Sequence, residues 1–153
     1  CSCCHKNVRF GGDVNAERAA FLGLYHDMTE IITGDMPTPV KYYSEQMTEA
    51  FALVEENASK NLLSMLPEDM RAYYENSFFK KEEDEYLWKL VKAADKLSAL
   101  IKCIEEKKAG NTEFSKALES TENSLKKMKL PEAEEFMKDF IPAFYLTLDE
   151  LSE

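Results

Sequence analysis

The chain has 153 residues, 44% of them hydrophobic, with 19 Lys and Arg against 29 Asp and Glu and a formal net charge of −10. A chain of this length buries about two thirds of its unfolded surface and needs no disulfide or structural metal to build a core, so one compact domain is expected; its acidic surface repels a phosphate backbone, which argues against nucleic acid polymers as partners. No apolar run reaches the roughly 18 residues that span a bilayer and no secretory signal pattern is present, so a soluble, cytoplasmic protein with no membrane partner is expected.

The first residues, Cys1-Ser2-Cys3-Cys4-His5, formally contain the Cys-x-x-Cys-His pattern of c-type haem attachment. With Cys103 the only other cysteine, the set is neither a disulfide framework nor a convincing haem site, and reduced, partly buried thiols in a helix are expected. The chain opens without Met in sequence of helical character, which suggests that a segment precedes it. Phe10-Gly11-Gly12 also comes too soon for the polar tether of a lipoprotein.

Beyond Gly11-Gly12, apolar residues recur at spacings of three and four, so the fold class expected is all-α, a bundle of about six helices. Asn15 suits the N-cap of a helix over 16–32 that Gly34 closes. Pro37 and Pro39 deny helix to the loop that follows. A second helix is expected over 44–65, with Met47, Phe51, Val54, Ala58 and Leu62 on one stripe. Pro67 suits the first turn of a short helix through Tyr74. A long helix through Glu106, ending near Gly110, is expected to bury Leu87, Leu90, Val91, Ala94, Leu97, Ile101 and Ile104, with Asp95 interrupting the apolar side. Helices over 112–129 and 131–146 complete the chain, the last kinked at Pro142.

The densest chemistry lies in Tyr25-His26-Asp27-Met28-Thr29-Glu30 and the loop Thr33-Gly34-Asp35-Met36-Pro37-Thr38-Pro39. A neutral imidazole beside a carboxylate offers two ligands to one divalent cation, although a bare His-Asp dipeptide is more often a buried His beside a surface Asp. Gly23, which costs a helix about 1 kcal/mol relative to Ala, suggests that a backbone or ligand comes close. Glu30, four residues after His26, would share its face and could carry a proton there. Asp95, at the border of an apolar stripe, would be costly if buried unless a cation offset its charge; the equal alternative is an Asp95 just outside the buried edge that pairs with Lys92 or Lys96. Asp35 and Thr38 could hydrogen-bond a sugar, and Lys41, Tyr42 and Tyr43 could continue that wall.

Together, His26-Asp27-x-x-Glu30-x-x-Thr33-Gly34-Asp35-x-Pro37-Thr38-Pro39-Val40-Lys41-Tyr42 resembles the HD-domain phosphohydrolases, and within them the YfbR-like 5'-deoxynucleotidases. Phe10-Gly11-Gly12-Asp13-Val14-Asn15-Ala16-Glu17-Arg18, Val91-Lys92-Ala93-Ala94-Asp95, Lys102-Cys103-Ile104-Glu105-Glu106 and Leu146-Thr147-Leu148-Asp149-Glu150 extend the likeness over nearly the whole chain. The resemblance implies a single HD-type domain, residues 1–153, that hydrolyses 2'-deoxyribonucleoside 5'-monophosphates and works as a homodimer. It implies His26, Asp27 and Asp95 as metal ligands, Glu30 as the catalytic proton carrier, and Asp27, Asp35, Met36, Pro37, Thr38 and Asp95 as substrate contacts. The cofactor implied is a divalent cation, Co or Mn first, with Mg or Zn as alternatives. The family's first His ligand belongs upstream of Cys1, so an N-terminal segment is expected to be missing from this sequence. Two rival readings remain: an HD-type enzyme for a nucleoside triphosphate or cyclic dinucleotide, and a non-enzymatic acidic helical interaction module.

Overall fold

The computed structural model describes residues 14–79, 81–147 and 149–151, and these contain helices and no strand. The cysteines of residues 1–4, His5 and the Gly11-Gly12 break lie outside the described residues. Six helices have nine or more residues: α1 (Ala16–Tyr25), α4 (Glu45–Met65), α5 (Glu68–Phe78), α6 (Glu85–Lys108), α7 (Ser115–Met128) and α8 (Pro131–Asp139). Three are shorter: α2 (Glu30–Thr33), α3 (Thr38–Lys41) and α9 (Ile141–Tyr145). A 3-10 turn, Glu82–Asp84, precedes α6. The chain divides into two compact units, residues 24–85 and the remainder, so it changes unit within α1 and again at the start of α6.

In the larger unit, Asn15 caps α1 as expected, its side-chain oxygen accepting from the Arg18 amide at 2.9 Å. Ala16, Ala19 and Leu22 form the buried stripe of α1 and join Leu87, Leu90, Val91, Ala93, Leu97, Leu100 and Ile104 of α6 in one core. Ala94 and Ile101 pack at its edge. Leu125, Leu130, Ala133, Phe136 and Ile141 complete it. Cys103 is a buried free thiol. Inside this apolar setting Glu132 is only 3% exposed, and the Tyr86 hydroxyl meets both its carboxylate oxygens, at 2.9 and 3.0 Å.

The helix expected over 112–129 begins three residues later, at Ser115, and ends at Lys129, whose φ of 51° is left-handed. The helix expected over 131–146 is two helices rather than one with a kink at Pro142. Phe140 leaves the helical path (φ −111°), and Pro142 falls in the first turn of α9, where its missing amide hydrogen costs nothing.

The smaller unit is organised on α4. Ser44 is its N-cap, accepting from the Met47 amide at 3.1 Å. Its other end is closed by Arg71, whose guanidinium donates to the Ser64 and Leu66 carbonyls at 2.9 Å each. Helices α2, α3 and α5 all pack against α4. Phe51, Ala58 and Ser59 are its buried residues, whereas Met47 and Val54, expected on the same stripe, are 40% and 48% exposed. α5 runs past the expected end at Tyr74 to Phe78, and Tyr74 meets Tyr25 edge to face with ring centroids 5.7 Å apart.

Candidate active site

The helix expected over 16–32 breaks where the chemistry is. α1 stops at Tyr25, residues 26–29 form turns, and α2 begins at Glu30. The backbone here uses tight i to i+3 bonds: Met28 to Tyr25, Glu30 to Asp27 and Ile31 to Met28, at 3.2, 2.9 and 3.2 Å. Gly34, with φ 68°, closes α2 by donating to the Glu30 carbonyl at 2.9 Å, so the stop was correctly placed and the continuity was not. Sharing of a face by His26 and Glu30 therefore cannot be argued from helical spacing.

Within the turn His26 Nε2 lies 2.8 Å from Asp27 Oδ2, with the imidazole side chain 27% and the carboxylate 56% exposed. Two atoms that both carry lone pairs are stable at that separation when a proton or a cation lies between them. Metal bonds of about 2.1 Å at right angles set neighbouring ligand atoms about 3 Å apart, so the pair has a suitable bite for one divalent ion. Imidazole nitrogen with carboxylate oxygen suits Mn, Co, Zn and related cations.

Glu30 opens the one-turn helix α2 and does not lie in the last turns of the longer helix expected over 16–32. Loss of hydration holds its carboxyl above the usual carboxylate range, with the charges of Asp27 and Asp35 adding to the rise and those of His26 and Lys41 opposing it. A carboxyl so placed is tuned toward proton exchange at higher pH than an ordinary glutamate. Asp35 and Pro37 are exposed, Met36 is half-buried, and Thr38, whose side chain lies outside the described part, begins α3; Pro39, expected to deny helix, sits instead in the first turn of α3, where its missing amide hydrogen costs nothing.

The sequence did not foretell how Lys41 would be anchored. Its ammonium donates to Glu55 Oε1 at 2.7 Å and sits 4.7 Å from the centre of the Phe51 ring, while its carbonyl accepts from the Thr48 hydroxyl at 3.2 Å. These contacts lie seven to fourteen residues apart, across a turn, and periodicity does not report them.

In the larger unit, Asp95 stands on the exposed side of α6 two residues after buried Ala93, and neither Lys92 nor Lys96 forms an ion pair with it. Asp95 thus lies outside the buried edge, where water solvates its charge and no partner is required, and only the expected pairing with a lysine is not seen. The backbone half of the Gly23 expectation is corrected: among the described residues a Cβ there would meet only Val91 Cγ2, at 3.9 Å, so no described backbone crowds the position.

The protein-family model described as 5'-deoxynucleotidase YfbR-like matches residues 1–144. This chain belongs to the YfbR-like family. A 5'-deoxynucleotidase of Vibrio vulnificus is 43% identical over 147 residues, which is 96% of this chain and 76% of the relative. A 5'-deoxynucleotidase of Klebsiella pneumoniae is 43% identical over 148 residues, 97% of this chain and 74% of the relative. The relative named 5'-deoxynucleotidase YfbR in Escherichia coli is 43% identical over 153 residues, again 97% and 74%. The YfbR-like match runs through both compact units, including the His26-Asp27 turn, the proline loop and Asp95.

Proposed function

We propose that this chain is a metal-dependent phosphomonoesterase that hydrolyses 2'-deoxyribonucleoside 5'-monophosphates to deoxynucleoside and phosphate. The observation that carries the reading is identity of 43% with 5'-deoxynucleotidases over nearly the whole chain. The ligand-type pair at 2.8 Å in the His26-Asp27 turn supports it chemically.

His26, Asp27 and Asp95 are the proposed protein ligands of one divalent cation, a nitrogen and two carboxylates. When bound, the cation lowers the pKa of its water, orients the phosphate and stabilises charge at phosphorus. Cobalt or manganese is the proposed metal. Glu30 is the proposed proton carrier, its raised pKa fitting a group that accepts a proton from the attacking water or returns one to the leaving 5'-oxygen. Asp27 and Asp95 also face the phosphate in this reading. Asp35, Met36, Pro37 and Thr38 contact the nucleoside, and Pro37 and Pro39 lower the entropy lost when the loop closes on it.

The two units are proposed to serve one HD-type domain, since a single family model matches through both. A homodimer in the cytoplasm is proposed on the family resemblance. Among the described residues no helix is long and apolar enough to cross a membrane.

Phosphate release, assayed with Co and a panel of nucleoside monophosphates, tests the reading. Release from several deoxyribonucleotides with much less from the matching ribonucleotides is expected. Equal rates on both sugars overturn the deoxy assignment, and hydrolysis confined to triphosphates or cyclic dinucleotides overturns the monophosphate assignment.

A further inference from the structure

The segment proposed to hold the nucleoside is short: residues 35–37 are outside any helix, with Asp35 and Pro37 exposed, and α3 has only four residues. Such a segment orders itself poorly by local bonds alone, because one helical turn repays little of its backbone entropy. Its internal bonds are those of Val40 and Lys41 to the Pro37 carbonyl, at 2.8 and 3.1 Å, and of Tyr43 to Val40 at 3.2 Å. What ties it to the long helix α4 is concentrated at Lys41.

Two parts of Lys41, its carbonyl and its ammonium, meet three residues of α4. The carbonyl accepts from Thr48 in the first turn of α4. The ammonium is held by Glu55 at 2.7 Å and lies over the ring of Phe51, a buried residue one turn earlier on α4. Glu55 is in turn fixed from the backbone side, its carbonyl accepting from buried Ser59 at 3.0 Å. A cation held by a carboxylate and an aromatic face has a defined position that a surface lysine lacks.

We propose that Lys41 is the positioning residue of the nucleoside loop: anchored on Glu55, Phe51 and Thr48, it fixes residues 35–38 against α4 and thereby sets nucleoside affinity and the preference for the deoxy sugar. The inference rests on the functional reading above for what the loop holds, and on the contacts of Lys41 for how it is held. A loop held in register accepts or rejects a 2'-hydroxyl by position, whereas a loose one accommodates both sugars.

The test compares the whole chain with Lys41→Met, Lys41→Arg and the exchanged pair Lys41→Glu with Glu55→Lys. Steady-state kinetics use deoxyadenosine and adenosine monophosphates with Co, and amide hydrogen exchange is followed at Val40, Lys41 and Tyr43. From the strength of a half-exposed ion pair plus a cation over a ring, Lys41→Met should raise KM for the deoxynucleotide roughly three- to tenfold. It should also shrink the deoxy-to-ribo ratio of kcat/KM and speed exchange at the three amides. Lys41→Arg and the exchanged pair should recover most of the affinity. If Lys41→Met only lowers the melting temperature, with KM and the sugar ratio unchanged in an active enzyme, Lys41 is structural and the inference is overturned. If wild-type protein hydrolyses neither nucleotide, the functional reading fails, and unchanged exchange in Lys41→Met would then overturn the loop anchoring independently.

Discussion

His26 Nε2 and Asp27 Oδ2 lie 2.8 Å apart in the turn between α1 and α2, close enough for both to ligate one cation. The break at residues 26–29 also makes Glu30 the first residue of α2 rather than part of the last turn of a longer helix.

Metal affinity is the direct test of Asp95. Calorimetric titration with Mn should show Asp95→Ala binding at least about tenfold more weakly than wild type, because a charged ligand is lost from the cation. A merely surface carboxylate without a lysine partner would be nearly neutral when removed. Unchanged Mn affinity therefore removes Asp95 from the ligand set.

Glu30→Gln separates catalysis from binding and from stability. The substitution keeps shape and removes the titrating proton, so turnover should fall by about 10²–10⁴-fold while Mn and nucleotide affinities persist. The carboxyl is raised in the folded state, first by loss of hydration and then by Asp27 and Asp35. A group raised in this way costs nothing below its unfolded pKa and destabilises the fold as pH climbs through the folded value. In metal-free protein the melting temperature of Glu30→Gln relative to wild type should therefore rise from acidic to neutral pH. A constant difference across that range would show that the carboxyl is not desolvated.

α6 was legible because twenty-four residues of 3.6-residue periodicity bury Leu87, Leu90, Val91, Leu97 and Ile104 as one stripe, and a long regular signal outweighs local exceptions. The Asn15 cap was legible because capping depends on residue type, whereas Ser44 was expected as the first residue of its helix and caps it instead. The break at residues 26–29 was not. Met28, Thr29, Ile31 and Ile32 carry neither Gly nor Pro, and a change from i+4 to i+3 bonding leaves no mark in composition. The stripe of α4 misled for a related reason: Phe51 and Ala58 are buried, but periodicity does not say how much of a helix its neighbours cover, and Met47 and Val54 remain exposed.

Gly23→Ala should stabilise the protein. The residue is helical, the added methyl reaches Val91 Cγ2 at an ordinary 3.9 Å, and Ala is favoured over Gly inside a helix by about 1 kcal/mol. For a chain of this size that corresponds to a rise in melting temperature of about 2–4 °C, with phosphate release unchanged. A fall in activity without a fall in stability would restore the idea that ligand or backbone needs the bare Cα.

Tyr86→Phe should be costly out of proportion to the single oxygen removed. The hydroxyl is shared between both oxygens of Glu132, at 2.9 and 3.0 Å, and that carboxylate is 3% exposed. Removing the hydroxyl forfeits a hydrogen bond to a carboxylate, and bonds to charged groups are worth about 1.5–3 kcal/mol. Denaturant unfolding should show a lower midpoint at unchanged slope, and the folded fraction should keep its KM, since Tyr86, 41% exposed, is not among the proposed substrate contacts. Glu132→Gln combined with Tyr86→Phe should be less destabilising than the sum of the two single changes, because both act on one bond. Strict additivity, or a Tyr86→Phe midpoint equal to that of wild type, would mean that Glu132 is satisfied without the tyrosine and that this contact does not hold the start of α6 to α8.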